Sequence, residues 1–184
     1  MGASRDERDA RDEEVLALLR AGDANAVRQL VDVFGDRIYG LSLRILASEE
    51  DARDAVQETF LTIWRKWPTF KAQSKFSSWV YRIAVNASID LKRRSSARKL
   101  ISLDALEEAA GVRGGSRNEI RDEGIEMPAA SASRGELELE IQKAISRLSP
   151  KLRTVTVLRY TESQSYEEIS QTLQISLGTV KSRL

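Results

Sequence analysis

The sequence contains no cysteine and no histidine. These absences exclude disulfides, zinc sites built on thiolates or imidazoles, and nucleophilic triads that use either residue. No apolar run approaches the roughly 20 residues that a membrane-spanning helix needs, and the charged start MGASRDERDARDEE lacks the apolar centre of a signal peptide. We therefore predict a cytoplasmic protein with no membrane contact of its own, no metal and no cofactor.

Proline and aromatic residues are also scarce, at three residues and 6% of the chain. Apolar residues instead recur at spacings of three and four along most of the sequence, which predicts amphipathic helices. The fold class that follows is all-α, with two small helical domains joined by a flexible linker. We expect a helical bundle in the N-terminal domain and a helix-turn-helix in the C-terminal domain.

Composition divides the chain into four segments. Residues 1–22 are predicted to be a disordered extension followed by a short helix, and residues 23–95 to be the bundle. Residues 96–135 are acidic, rich in glycine and serine, and weakly periodic, so we interpret them as a flexible linker. Residues 136–184 become periodic again and are predicted to form the second domain.

The net charge of +1 conceals a strong pattern. Residues 65–100 carry a net charge of +9 and residues 141–184 a net charge of +4, whereas residues 101–140 carry −6. Two basic segments separated by an acidic one indicate two contacts with a polyanion. The alternative is that each charged run is solvated surface.

The stretch from Asp51 to Arg94 combines an acidic helix, an aromatic loop and a helix that ends in positive charge. Ser48 is predicted to cap the first helix and Pro68 to end it. Acidic and amide side chains share one face of that helix, and an apolar stripe lies beside them. The second helix begins near Phe76 and ends in cations, which suit a helix C-terminus.

Residues 166–184 have the pattern of a helix-turn-helix. Ser165 and Glu168 form a predicted capping box for its first helix, and Ser176 is predicted to cap the second. The second helix carries small, polar and basic side chains, which suit a DNA major groove because Lys and Arg donate to guanine edges or phosphates. The alternative is an ordinary helical hairpin at a domain end.

Both stretches resemble the extracytoplasmic-function (ECF) sigma factors of the bacterial sigma-70 family. The first resembles region two through DARDAVQETF at 51–60, the exit from Trp64 to Phe70, and WVYRIAVN at 79–86 with Asp90 downstream. The second resembles region four through SYEEI at 165–169 and ISLGTVKSR at 175–183. The resemblance implies a protein with no catalytic residues, which binds core RNA polymerase and directs it to promoter DNA.

The resemblance implies that the acidic helix docks on the clamp helices of the polymerase β′ subunit, with the β subunit as a further partner. The residues implied in core-polymerase binding are Asp51, Asp54, Gln57, Glu58, Phe60 and Trp64. Region two is also implied to open the downstream (minus-ten) element and to hold an extruded base. The residues implied in minus-ten DNA binding are Lys71, Gln73, Ser74, Lys75, Phe76, Ser77, Trp79, Arg82, Asn86, Lys92, Arg93 and Arg94. Core packing is the alternative role for Phe76 and Trp79.

Region four is implied to read the upstream (minus-thirty-five) element. The residues implied there are Ser176, Gly178, Thr179, Lys181, Ser182 and Arg183. Family members continue beyond the position of Leu184 with further basic residues, so we expect a truncated fragment whose contact with DNA is weakened.

Other functions stay open from the sequence. A polymerase-independent helix-turn-helix regulator would need no docking helix and would usually bind DNA as a dimer, for which the chain offers no obvious element. An interaction module held inactive by a partner is compatible with the sigma interpretation, because the resemblance implies regulation by an anti-sigma factor. Abundant carboxylates do not predict an enzyme, since no metal-binding spacing or nucleotide loop accompanies them.

Overall fold

In a computed structural model of the protein, the backbone is described for residues 5–110 and 134–184 and the side chains for residues 6–97 and 140–184. All regular elements of these ranges are helical, which confirms the all-α fold class. The helices are α1 Arg5–Ala21, α2 Ala26–Leu46, α3 Glu49–Lys66, α4 Phe76–Ala110, α5 Arg134–Ser146, α6 Pro150–Tyr160, α7 Tyr166–Leu173 and α8 Leu177–Arg183, with a 3-10 turn Trp67–Thr69 after α3.

Helix α1 begins far earlier than the sequence indicates. Residues 5–11 are helical, so the prediction of disorder for them is wrong. Two carboxylates on α1 have cationic partners elsewhere in the chain: Asp9 lies 2.6 Å from Lys75, in the loop before α4, and Asp12 lies 2.8 Å from Arg37 of α2. Together with the burial of Leu19 on the same helix, these contacts stabilise a segment whose own pattern is weak.

The first four helices form the N-lobe, in which α2, α3 and α4 pack against one another and α1 packs on α2. The buried stripe of α2 runs through Leu30, Phe34 and Ile38. Val27 and Val31, which the periodicity places in this stripe, are 44% and 43% exposed instead. They therefore lie at the edge of the buried stripe rather than inside it.

The predicted start and end of α3 are present. The Ser48 hydroxyl accepts a hydrogen bond from the Asp51 backbone N–H at 3.2 Å, and Ser48 directly precedes α3. The helix ends at Lys66, and Pro68 lies in the 3-10 turn that follows. These local signals set where the acidic helix begins and ends.

Helix α4 extends well past the predicted domain boundary. It continues to Ala110, so the boundary after residue 95 falls inside a helix. Residues 111–133, which make up most of the predicted linker, lie outside the described residues.

The last four helices form the C-lobe. Ser165 and Glu168 make the predicted capping box at the start of α7, and the Ser176 hydroxyl accepts from the Thr179 N–H at 3.1 Å at the start of α8. Gln174 joins the two helices in a left-handed conformation with φ of 54°. The helix-turn-helix is therefore formed as predicted.

The two lobes share one hydrophobic core. Helix α6 packs on α2, and α7 packs on α4. The buried side chains of Leu158 and Ile169 from the C-lobe belong to the same cluster as Phe34 and Ile38 from the N-lobe. This packing brings the helix-turn-helix next to the aromatic loop.

Candidate nucleic-acid and polymerase interface

The exposed face of α3 carries the predicted docking residues. Asp54, Gln57 and Glu58 are all exposed on it. They border a groove of about 230 Å³ between α3 and the later turns of α4. The lining residues of the groove are Asp54, Gln57, Glu58, Leu61, Leu91 and Arg94. The face is thus acidic at its rim and apolar at its floor, which suits a protein partner.

The other three predicted docking residues differ in environment. Trp64 is 55% exposed, which is unusual for so large an apolar side chain. Phe60 is half-buried and packs against the core, so it supports the face from beneath. Asp51 is half-buried in the first turn of α3.

A second site lies where the aromatic loop meets the C-lobe. It is an open pocket of about 360 Å³. The lining residues are Thr69, Phe70, Lys71, Gln73, Ser74, Trp79, Arg82, Gln171 and Gln174. Five of the predicted minus-ten residues meet there, which are Lys71, Gln73, Ser74, Trp79 and Arg82. Gln171 of α7 and Gln174 of the α7–α8 turn were not predicted to lie in this wall.

Two other predicted minus-ten residues lie in the core. Phe76 is 1% exposed and packs edge-on against Phe34 and Phe70, at ring-centroid distances of 5.8 and 5.5 Å. It also stacks on Trp79 at 5.8 Å. Ser77 is buried beside it. Phe76 therefore has the packing role that was the alternative, and Trp79 combines packing with a place in the pocket wall.

Lys75, a predicted DNA contact, is held between two carboxylates. Its ammonium lies 2.6 Å from Asp9 of α1 and 2.9 Å from Glu168 of α7. The hydrogen bond with Asp9 is the main cause of a raised pKa of Lys75, and Glu168 adds to it. Two carboxylates therefore offset the charge of Lys75, whose side chain is still 42% exposed.

The remaining predicted minus-ten residues lie outside the pocket wall. Asn86 is exposed on α4. Arg93 is exposed and lies 3.7 Å from Asp90, one turn earlier on the helix. Arg94 borders the α3 groove instead, and Lys92 is half-buried. The basic end of α4 is thus a separate surface from the loop pocket.

Helix α8 presents most of the predicted minus-thirty-five residues. Gly178, Lys181 and Ser182 are exposed. Thr179 and Arg183 are half-buried, and the hydroxyls of Ser176 and Thr179 share a hydrogen bond at 2.8 Å. Buried Val180 anchors the opposite side of the helix in the core. The polar side of α8 is therefore available to a groove of DNA.

A polar network lies between the lobes and was not predicted from the sequence. It consists of Asp12, Arg37, Tyr81 and Glu162, and we call it the Tyr81 network. Arg37 donates from Nε to the Tyr81 hydroxyl at 2.7 Å and from Nη1 to Asp12 at 2.8 Å. The Tyr81 hydroxyl in turn donates to Glu162 at 2.5 Å. Each residue comes from a different helix or turn, so no periodic pattern could have indicated the network.

Burial dominates the electrostatics of the Tyr81 network. It raises the pKa of Asp12 and of Glu162, although Arg37 works against it in both cases. Burial, followed by the charge of Glu162, raises the pKa of Tyr81 well above its ordinary value. Burial alone would lower the pKa of Arg37, but its partners Tyr81 and Asp12 raise it. Tyr81 therefore stays protonated at neutral pH and keeps its hydrogen bond to Glu162.

Two further polar contacts cross between the lobes. Buried Arg153 of α6 donates from Nη1 to the carbonyl of Ile45 at 3.0 Å, and it also binds the carbonyl of Ser146 within its own lobe. The Thr172 hydroxyl of α7 reaches the carbonyl of Ser78 at 3.4 Å. These bonds end on backbone atoms, so the sequence carries no sign of them.

Among the described residues, no group of acidic side chains is arranged to hold a metal ion. The helices in the described ranges include none that is long and apolar enough to cross a membrane.

The fold and its surfaces define a two-lobed helical protein with a C-terminal helix-turn-helix and an exposed acidic face on α3. Residues 30–98 match the family Sigma-70 region 2, and residues 138–184 match Sigma-70, region 4. The chain is 37% identical to the ECF RNA polymerase sigma factor SigW of Bacillus subtilis, over 90% of this chain and 87% of SigW. It is 32% identical to the RNA polymerase sigma-H factor of Pseudomonas aeruginosa, over 94% of this chain and 88% of that protein. The chain belongs to the ECF sigma factors of the sigma-70 family, and it is a transcription initiation factor.

Solved structures show the same fold. One is CnrH in complex with the cytosolic domain of CnrY, with a TM-score of 0.64 and 22% identity over 95% of this chain and 90% of the other. Another is the sigma factor RpoE in complex with the anti-sigma factor NepR from Bartonella quintana, with a TM-score of 0.56 and 18% identity over 88% and 91%.

Proposed function

We propose that the protein binds core RNA polymerase through the α3 face and directs it to promoters through the loop pocket and α8. The observation that carries this proposal is the occurrence, in one chain, of an exposed acidic face and an exposed helix-turn-helix. In this division residues 23–95 bind polymerase and the minus-ten element, and residues 136–184 bind the minus-thirty-five element. The protein acts in the cytoplasm and performs no catalysis of its own.

Charge and shape support the α3 face as the polymerase-binding surface. Asp54, Gln57 and Glu58 are free of core packing and stand around an apolar groove. Exposed Trp64 lies further along the same helix and offers the kind of large aromatic anchor that dominates protein interfaces. We assign this face to the clamp helices of the polymerase β′ subunit, with the β subunit as a further contact.

The chemistry of the loop pocket supports binding of an extruded base. Phe70 and Trp79 supply apolar ring surface, Gln73 supplies an amide that can both donate and accept, and Lys71 and Arg82 supply cations for the phosphates. Stacking on an aromatic side chain contributes about 1–3 kcal/mol per base. Exposed Asn86 and the cations at the end of α4 extend this surface.

Exposed groups on α8 support contact with a major groove. Lys181 can donate to guanine or phosphate, and Ser182 to either. Gly178 leaves room for close approach of the sugar-phosphate backbone because it has no side chain. We also propose an anti-sigma factor as a regulatory partner, since the sigma factor RpoE, which has this fold, was solved in complex with the anti-sigma factor NepR.

The test is binding to purified core RNA polymerase. We expect Asp54→Arg to weaken binding at least tenfold, because it replaces attraction with repulsion at the rim of the groove. The matched control is Asp36→Arg, which makes the same charge change at an exposed position of α2. The measurement is equilibrium titration of labelled protein with core enzyme at constant salt.

If Asp54→Arg and Asp36→Arg lost the same affinity for core polymerase, the effect would come from net charge alone. That result would contradict the assignment of the α3 face. A wild-type protein that binds promoter DNA tightly without polymerase, and does not bind core enzyme, would favour the polymerase-independent regulator instead.

A further inference from the structure

We propose that Arg94 belongs to the polymerase-binding surface rather than to the DNA-binding surface, and that it pairs with a carboxylate on the polymerase helix that docks on α3. The inference rests on the proposed function, which gives the α3 face its partner. It deepens that function because it gives the partner a mixed charge, with cations opposite α3 and a carboxylate opposite the end of α4.

Helical spacing directs the two arginines at the end of α4 to different sides of the helix. Residues three, four or seven positions apart share one face of a helix. Arg94 therefore lies in line with Leu91. Arg93 lies instead in line with Asp90 and Asn86. The walls of the α3 groove agree with this division, since Leu91 and Arg94 line the groove and Arg93 does not.

A small hydrophobic cluster holds the floor of the groove in place. Buried Leu91 packs in this cluster with Leu46 of α2 and Ala55 of α3. Leu61 stands on the α3 wall and is 41% exposed. The groove volume of about 230 Å³ accommodates a few apolar side chains of a partner but not a whole helix. A partner whose side chains fill this groove also covers the charged groups at its rim.

The charged groups of the rim have both signs and no ion-pair partner among the described residues. Asp54 and Glu58 lie on the α3 wall, and Arg94 lies on the α4 wall. Within the part of the chain that the structure describes, none of these three side chains takes part in an ion pair. The neighbouring Arg93, by contrast, lies 3.7 Å from Asp90 on its own helix. The charges at the groove are therefore available to a partner.

Docking removes water from these charges, so each of them needs a counter-charge on the partner. A charge that is covered without a counter-charge weakens binding strongly. The partner must therefore present a cation to Asp54 and Glu58 and a carboxylate to Arg94. A guanidinium suits this role because its planar fork can bind both oxygens of a carboxylate.

The two signs of charge also fix the direction in which the partner helix lies. In one direction its cation meets α3 and its carboxylate meets the end of α4, so every contact joins opposite charges. In the reverse direction like charges meet, which lowers the affinity. Arg94 would repel a partner that is basic throughout, and it therefore contributes to the choice of partner as well as to its orientation.

The experiment compares neighbouring substitutions on α4. Arg94→Glu and Arg93→Glu make the same charge change one position apart, the first on the groove side of the helix and the second on the side of Asn86. Arg94→Gln removes the charge without reversing it. Arg28→Glu, at a position of α2 whose side chain is 83% exposed, controls for net charge. Equilibrium titration of each labelled full chain with core RNA polymerase at constant salt gives the affinities, and circular dichroism checks that the helices are retained.

We expect Arg94→Glu to weaken binding to core polymerase about tenfold, because it places like charges opposite each other. Arg94→Gln should weaken binding by a smaller factor, and Arg28→Glu should have little effect. The direction of the change distinguishes two kinds of partner. If the partner were basic throughout, Arg94→Glu would extend the acidic rim and would tighten binding.

A second titration, with a fluorescent random-sequence single-stranded 12-mer at low salt, measures the DNA-binding surface. In this titration we expect Arg93→Glu to weaken binding more than Arg94→Glu does, because Arg93 lies on the side of Asn86 and Arg94 does not. With core polymerase the order of the two variants should be reversed.

The role of Arg94 would be overturned if Arg94→Glu left polymerase binding unchanged, tightened it, or weakened it no more than Arg93→Glu. Asp54→Arg, measured in parallel, separates this failure from a failure of the proposed function. If Asp54→Arg loses affinity and Arg94→Glu does not, only the role of Arg94 is wrong. If neither variant loses affinity, the α3 face is not the polymerase-binding surface.

Discussion

At the scale of single residues, two aromatic side chains of the N-lobe have opposite environments. Phe76 is 1% exposed and contacts three other aromatic rings, whereas Trp64 is 55% exposed on the α3 face. Both were predicted as binding residues. From their burial we expect Phe76 to contribute to stability, and we propose a role in recognition for Trp64.

We expect Phe76→Ala to lower the free energy of unfolding by about 3–5 kcal/mol, because it removes a ring from the centre of the core. Trp64→Ala should change it by less than about 0.5 kcal/mol, since its ring is mostly in solvent. Urea unfolding followed by circular dichroism measures both. For binding to core polymerase we expect Trp64→Ala to lower the affinity, although it leaves the stability almost unchanged. A stable Phe76→Ala protein, or a Trp64→Ala protein with unchanged polymerase binding, would contradict this division of roles.

At the scale of helices, the position of α7 depends on its first turn. The Ser165 hydroxyl accepts from the Glu168 N–H at 3.2 Å, while Glu168 accepts from the Ser165 N–H at 2.7 Å and also pairs with Lys75. The capping box therefore fixes the carboxylate that joins α7 to Lys75 at the end of the aromatic loop. A helix of only eight residues depends on such a cap, because isolated helices of that length are unstable.

We expect Ser165→Ala to lower the free energy of unfolding by about 1 kcal/mol, since the N–H of Glu168 loses its acceptor. Ser165→Thr keeps a hydroxyl at the same position and should retain most of that stability. Urea unfolding of the two variants and the wild type gives the comparison, and hydrogen exchange locates the change in α7. Equal destabilisation by alanine and threonine would show that the hydroxyl is not what matters.

The elements that the sequence predicted are those whose signals are local. The caps at Ser48, Ser165 and Ser176 were predicted because each acts on a backbone group three residues away. The start of α1 was missed, because Asp9 finds its partner 66 residues later. The contact from Arg153 to the Ile45 carbonyl spans 108 residues and leaves no pattern in either segment.

The candidate sites were likewise predicted only where their residues lie close together in the sequence. The acidic face of α3 follows from helical spacing alone, so Asp54, Gln57 and Glu58 were predicted together and lie together. The loop pocket was predicted only on its N-lobe side. Its other wall comes from Gln171 and Gln174, whose presence depends on how the lobes pack, and that packing follows from buried surfaces rather than from spacing.

At the scale of the whole molecule, the shared core couples the stability of the lobes. Leu158 of α6 is fully buried in the cluster that contains Phe34 and Ile38 of α2. The only tryptophans of the chain, Trp64, Trp67 and Trp79, all belong to the N-lobe. Tryptophan fluorescence therefore reports the unfolding of one lobe, while circular dichroism reports helices in both.

We expect Leu158→Ala to lower the free energy of unfolding by about 2–5 kcal/mol, because it leaves a cavity in the shared core. The loss of stability should appear both in tryptophan fluorescence and in circular dichroism. The two urea transitions should coincide, because lobes that share one core unfold as one cooperative unit. Ile141→Ala, at a position of α5 that is 48% exposed, is the control and should have little effect. If the lobes were independent, Leu158→Ala would shift the helical signal and leave the tryptophan midpoint unchanged. Coincident shifts would mean that each lobe draws part of its stability from the core that the two lobes share.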